Sequence, residues 1–373
     1  MTTDGIGLYL HFPFCVRKCN YCDFCSVPHC KDMAERYTAR LIKEIRSYKR
    51  DERIKLSTLF FGGGTPSLMT VEQMEAVMTA VRESFCISTD AEASIEINPG
   101  TCTKEKLLAY KRMGINRISF GLQSVHQNEM KRLGRIHSLE EFTSAYTDAR
   151  SVGFDNISVD LMYGIPEQTI QSFTATLDLV ISLSPEHISV YGLIVEEGTP
   201  FFEDRERLDL PDEDTECDMY ESACRMLGDT GYHHYEISNY AKPGFECRHN
   251  LKYWRDLEYI GVGASAYSYF EGFRFGNTRS IEEYISSDEP KYIYNERIDF
   301  ESSAFEYSMM RLRLAEGLNL SEYEKTFGRP FIGENREAIE RFTDMGLMSL
   351  TDGVLSFTER GFYLSNSVLS SIL

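Results

Sequence analysis

Positive charge is scarce in this chain of 373 residues: 39 Lys and Arg stand against 58 Asp and Glu, a formal net charge of −19. That balance argues against broad binding to nucleic acid or anionic membranes, which calls for Lys/Arg-rich surfaces. No run approaches the ~18 apolar residues of a membrane span. The opening stretch, MTTDGIGLYLHF, lacks a basic segment followed by an apolar core, so no secretory leader is expected. These absences predict a soluble cytoplasmic protein. Cysteine is unevenly spread. Of 10 cysteines, five fall within HFPFCVRKCNYCDFCSVPHC, residues 11–30.

In a reducing compartment clustered thiols are more often metal ligands or catalytic groups than disulfides. Cys15, Cys19 and Cys22 form C-x3-C-x2-C, a spacing that lets three thiolates from one loop meet one centre. A structural zinc site usually takes four ligands, often as two remote pairs. No remote C-x2-C pair exists here, although Cys25 or Cys30 would complete a zinc set. A [4Fe–4S] cluster normally takes four thiolates, so three would leave one iron open. Arg17 and Lys18, between the ligands, would favour thiolates. The same spacing also marks one face of a helix, but Pro13, Pro28 and the crowded aromatics disfavour that. The scattered Cys86, Cys102, Cys217, Cys224 and Cys247 read as small buried hydrophobes.

Along the chain, short β-rich runs alternate with helical patterns. GLYLHF, STLFFGGG, ASIEIN, NRISFGLQ, NISVDLMYG and EHISVYGL read as strands. Between them lie amphipathic segments such as Met74, Val77, Met78 and Val81, at i, i+3, i+4, i+7. Six β-then-α units predict a parallel sheet covered by helices: a partial (β/α)6 barrel, or a doubly wound sheet. Residues 203–218 are strongly acidic and read as a solvated loop and helix start, and 219–285 as an extension of the barrel. The expected division is a barrel with its extension over 1–288 and a small α+β domain over 289–373. In the latter, three helices precede Asp352-Gly353, a hairpin signal between two β-like runs. That pattern resembles a winged helix, with Phe305, Met309 and Leu312 on one helix face. Glu outnumbers Arg in the would-be reading helix, ENREAIERF, so DNA binding is not expected.

Reactive residues of parallel α/β folds gather at the carboxyl ends of the strands. There the sequence places the cysteine loop, GGGTP (62–66), Glu96, Gln123 and Asp160.

The C-x3-C-x2-C loop followed by GGGTP resembles the radical S-adenosylmethionine (SAM) superfamily. The wider set YLHFPFCVRKCNYCDF, LFFGGGTPSLM, IEINPGT, NRISFGLQS, KRLGRIHS, NISVDLMYGIPEQT and YEISNYAKPGFECRHNLKYW resembles the oxygen-independent coproporphyrinogen III oxidase-like family, and within it the haem chaperone subgroup. The likeness covers nearly the whole chain from about residue 7. It implies a radical SAM barrel with a [4Fe–4S] cluster on Cys15, Cys19 and Cys22, whose open iron chelates SAM, which an electron from the cluster cleaves. It implies SAM contacts from Tyr9, Tyr21, Gly63, Gly64, Thr65, Glu96, Gln123, Arg135 and Asp160. The oxidases carry a fourth cysteine two residues after the third; here that position is Phe24. HNLKYW matches the H-N-x-x-Y-W motif proposed for haem binding in the chaperone subgroup, which implies His249, Asn250, Tyr253 and Trp254 as haem contacts. The implied function is haem binding and transfer to acceptor proteins. The alternatives are radical decarboxylation of coproporphyrinogen III, another radical SAM porphyrin modification, or methyl transfer. The implied partners are haem or a porphyrin, haem-accepting proteins and an electron donor such as flavodoxin or ferredoxin; a homodimer stays open.

Overall fold

The computed structural model describes residues 5–372. The first four residues of the opening stretch and the last residue of the 289–373 domain lie outside the described residues. The six expected strands form: β1 (Ile6–Phe12), β2 (Lys55–Gly63), β3 (Cys86–Ile97), β4 (Arg117–Gln123), β5 (Ile157–Tyr163) and β6 (His187–Gly192). They lie side by side in chain order and pair parallel throughout. A doubly wound sheet reverses its order at a switch point; this one does not. β1 is buried at every position but Tyr9, as expected of a parallel strand covered on both faces.

The connecting helices start where the sequence supplies caps. Thr70 with Gln73, Ser138 with Glu141 and Thr169 with Ser172 form reciprocal capping boxes. The stripe Met74, Val77, Met78 and Val81 is buried against the sheet. Gly114 ends the helix Lys104–Met113 in the left-handed region at φ 97°.

The sheet is larger than the sequence pattern suggests. Tyr259–Val262 adds a seventh parallel strand beside β1. Outside it run the antiparallel strands Tyr267–Phe270, Phe273–Asn277 and Tyr292–Arg297; beyond β6 lie Asn239–Ala241 and His233–Glu236. Among the described residues the sheet has 12 strands, keeps two edges and does not close by hydrogen bonds. It nevertheless curls: one interior cavity of about 190 Å³ is lined by Tyr9, Phe60, Glu96, Ser119, Asp160 and Ser189, one side chain from each of the six strands. A flat sheet brings no such set together, so the partial barrel is the correct reading.

Strand Tyr292–Arg297 lies beyond position 288 yet pairs with the large sheet. The helices Phe300–Arg311, Leu320–Phe327 and Ile332–Asp344 follow, then the hairpin Met348–Thr351 and Val354–Phe357, joined by the short strand Leu318–Asn319. Asp352 (φ 52°) and Gly353 (φ 76°) make the tight turn with both central residues left-handed. Helix Phe300–Arg311 corrects one expectation. Ala304, Ser308 and Leu312 face inward, while Phe305 is exposed, because the small residues allow close packing on their side. This part docks on the barrel edge through Ala315 N–H to the Tyr235 carbonyl (3.0 Å) and Arg255 to Glu316 (2.9 Å).

Candidate functional site: the mouth and floor of the barrel

Beyond β1 the chain turns at Pro13 and runs through the cysteine loop. Phe14–Cys15 pairs with Val27–Pro28, which ties the loop's two ends. Gly64 packs against the loop's root: a Cβ there would stand 2.8 Å from Phe14 backbone atoms, so only glycine permits the approach. Cys15, Cys19 and Cys22 face one cavity of about 410 Å³ at the mouth, whose walls include Tyr21, Gly63, Gly64, Thr65, Glu96, Gln123, Arg135 and Asp160. All but one of the residues expected at the cluster and at SAM therefore share one cavity. The exception is Tyr9, which lines the deeper cavity below; Glu96, Ser119, Asp160 and Tyr191 border both.

The thiols have polar company. The Thr65 hydroxyl lies 3.5 Å from Cys15 Sγ, and Arg135 Nη1 lies 3.7 Å from Cys19 Sγ. A second Arg135 nitrogen donates to the Gly121 carbonyl. Burial raises the Cys15 thiol and pushes Cys22 up to about 11. Among the described residues no three His, Cys, Asp or Glu side chains gather tightly around a single ion. Three thiols spread around one cavity suit a cubane, whose corners are separate irons, and the residues therefore fit a cluster. Cys25 does not line the cavity; its thiol donates to the Arg279 carbonyl at 3.2 Å, and Cys30 is exposed.

The opposite wall is acidic and buried. Gly63 N–H donates to Glu96 (3.1 Å), and the Ser119 and Ser189 hydroxyls donate to Asp160 (3.0 and 2.8 Å). Burial, then the nearby Asp160, pushes the Glu96 carboxyl up to about 8, and burial raises Asp160. Gln123 sits at φ 73°, where a bulge shifts the β4–β5 register, and its buried Oε1 finds no partner among the described residues. The same holds for Arg135 Nε. Left-handed backbone and unpaired polar atoms concentrate at sites that await a ligand. Buried acceptors, an arginine fork and a glycine loop fit an amino-acid-bearing, hydroxylated cofactor such as SAM.

Sequence reasoning missed Ser119, Ser189, Tyr191 and Met162. All four border the mouth or lumen. For Met162 the signal was strand alternation, since it stands two residues from Asp160.

HNLKYW lies at the other end. Helix Arg248–Trp254 plugs the barrel floor, and His249, Asn250 and Tyr253 line the deeper cavity; Trp254 does not. His249 is 1 % exposed. Its Nδ1 meets the Thr58 hydroxyl at 2.8 Å and its Nε2 the Tyr253 hydroxyl at 2.7 Å. The ring stacks on Phe60, and its backbone N–H donates to Glu92 at 3.0 Å. Burial, with Lys252 and Arg117 nearby, lowers the imidazole to about 3, which keeps it neutral. The cavity beside it, about 190 Å³, is below the roughly 300 Å³ of small drug-sized pockets. The floor in this conformation does not fit a haem. His233 pairs with Glu246, and His234 stacks on Tyr240, both packing roles.

A curled parallel sheet with three thiols and a glycine turn at its carboxyl mouth defines a radical SAM protein, and the radical SAM superfamily model matches residues 9–180. The HemN C-terminal domain model matches residues 301–364. Curated relatives named heme chaperone HemW include those of Lactococcus lactis (33% identical, covering 98% of this chain and 96% of the relative), Bacillus subtilis (34%, 98% and 98%) and Escherichia coli (35%, 99% and 98%). The chain belongs to the haem chaperone family of radical SAM proteins. Among solved structures, coproporphyrinogen III oxidase (HemN) of Escherichia coli superposes with a TM-score of 0.87 at 22% identity, over 99% of this chain and 90% of that one, which shows a shared fold.

Proposed function

We propose that this protein is a haem chaperone: it binds haem and passes it to haem-accepting proteins. The observation that carries the reading is the end-to-end similarity to heme chaperones of several bacteria, at 33–35% identity over 98–99% of the chain. On this reading Cys15, Cys19 and Cys22 hold a [4Fe–4S] cluster, which when bound supplies one open iron and an electron. Arg135 would pair with the SAM carboxylate through its planar fork. Glu96, Asp160 and Gln123 would take hydrogen bonds from SAM amine or hydroxyl groups, Gly64 and Thr65 would offer it backbone and hydroxyl groups, and Tyr9, Tyr21 and Gly63 would lie beside it. His249, Asn250, Tyr253 and Trp254 are the proposed haem contacts. For His249 to meet iron, its bond to Thr58 or Tyr253 must open.

The position where the oxidases carry a fourth cysteine is held by Phe24, 61% exposed at the mouth, which favours the chaperone over the oxidase. A cytoplasmic location, a flavodoxin- or ferredoxin-type electron donor, a homodimer, and two units divided near residue 288 complete the proposal. Among the described residues no helix is long and apolar enough to cross a membrane. The test is anaerobic reconstitution with iron and sulfide, then reduction and SAM with and without coproporphyrinogen III. Stoichiometric haem binding with no decarboxylated porphyrin supports the chaperone. Substrate-dependent deoxyadenosine together with decarboxylated porphyrin makes the protein an oxidase.

A further inference from the structure

His11 stands near the end of β1, four residues before Cys15, and is 6 % exposed. Its Nε2 lies 2.9 Å from the Cys25 carbonyl, across 14 residues of the cysteine loop. A carbonyl only accepts, so Nε2 carries the proton. Nδ1 is then the acceptor, and it takes the Tyr9 hydroxyl at 3.0 Å. The ring also lies flat against the glycine turn: a Cβ on Gly63, which sits at φ 113°, would stand 2.6 Å from His11 Cε1. The backbone behind it is fixed, because the His11 carbonyl accepts from the buried Tyr37 hydroxyl at 2.9 Å. One side chain thus joins the barrel wall, the glycine turn and the returning end of the cysteine loop. Cys25, the residue it grips, points its thiol to the Arg279 carbonyl instead of the cavity.

We infer that His11 is a positioning residue of the cluster site: its Nε2–H bond to the Cys25 carbonyl holds the loop that presents Cys19 and Cys22 and keeps Cys25 out of the ligand set. This rests on the reading that Cys15, Cys19 and Cys22 hold the cluster. The bond has a side-chain length requirement. A glutamine amide reaches about as far as Nε2, whereas an asparagine amide stops near Nδ1. His11→Gln keeps the tie to the loop; His11→Asn keeps a partner for Tyr9 and loses the tie.

Two readouts separate this inference from the reading beneath it. The first needs no cluster: amide hydrogen exchange of residues 16–26 in the full-length apo protein. Loss of one partly buried hydrogen bond raises exchange there about fivefold in His11→Asn, with His11→Gln near wild type and the rest of the barrel unchanged in both. The second is the reconstituted protein, followed by iron and sulfide per chain, the rate of iron loss to a chelator, and the electron paramagnetic resonance shift of the reduced cluster on adding SAM. His11→Asn loses iron several-fold faster and shows a weakened SAM-induced shift; His11→Gln restores both, and so does adding Cys25→Ser to His11→Asn for the shift. Equal loop exchange in wild type and His11→Asn overturns the inference. So does a His11→Gln variant as impaired as His11→Asn, since ring packing would then be the cause. A wild-type chain that takes up no iron contradicts the cluster reading and leaves the exchange result to decide the role of His11.

Discussion

The two ends of the barrel lumen handle polarity in opposite ways. At the mouth, three thiols, Gln123 Oε1 and Arg135 Nε face a cavity of about 410 Å³ with few or no bonds among the described residues. At the floor, His249 spends both ring nitrogens on Thr58 and Tyr253, and Glu92 takes the helix backbone N–H groups of Arg248 and His249. Buried polar atoms without partners cost free energy, so the mouth is built for something that completes it. At the floor His249 is already satisfied, and Arg117 Nε is the lining atom buried without a partner among the described residues. A family motif can therefore stand in a site ready for its ligand or in one that must first open.

The largest effect should come at the mouth. Cys19→Ala removes a cluster corner, and iron after anaerobic reconstitution should fall from about four per chain to near zero, with the circular dichroism of the barrel unchanged. Iron retained in full would move the cluster elsewhere. Next is Arg135→Gln. It removes a charge-assisted bond worth about 1.5–3 kcal/mol, so SAM affinity of the loaded protein should drop roughly 10- to 100-fold; an unchanged equilibrium titration would take Arg135 out of the SAM site.

At the floor, His249→Ala should cost about 2–4 kcal/mol of stability, from lost packing and two unpaired partners; chemical denaturation of the apo protein measures it. Any loss of haem binding in that variant must be read against this cost. Tyr253→Phe sharpens the comparison. It removes one hydrogen bond, about 1 kcal/mol, and frees Nε2. If opening that bond limits haem access, the variant should bind haem faster than wild type in stopped flow; slower binding would mean that Tyr253 itself contacts haem.

The last effect concerns pH. Glu96, raised to about 8, keeps its proton in the fold when the unfolded chain has lost it. The folded state then binds more protons between the unfolded value, about 4.3, and 8, so stability falls as pH rises through that window. Glu96→Gln should flatten the apo protein's stability profile from about pH 5 to 8. Some slope should remain because burial also raises Glu236 to about 8.

Much of the mouth was legible because strand ends carry unmistakable punctuation: glycines in GGGTP, a lone acid in IEIN, three cysteines at close spacing. The barrel strands were legible as apolar runs between amphipathic helices. The strand Tyr259–Val262 was not, since four residues buried beside β1 carry too little pattern. Ser119 and Ser189 were invisible because serine is ordinary in any strand; only the curl of the sheet turns them onto Asp160. Phe305 misled because an aromatic at helical spacing reads as core, while the helix in fact packs by Ala304 and Ser308. His249 was singled out as a haem contact, but no sequence pattern reveals that both its nitrogens are bonded.

The central claim is that the protein carries haem instead of transforming a porphyrin. The most direct measurement loads the reconstituted protein with haem, adds a haem-free acceptor, and follows the acceptor's absorption. The account predicts transfer that proceeds with reduced cluster and SAM present, leaves the porphyrin chemically intact, and weakens when His249 is replaced in a variant that still folds. Haem that stays bound while coproporphyrinogen is decarboxylated in the same preparation would contradict it.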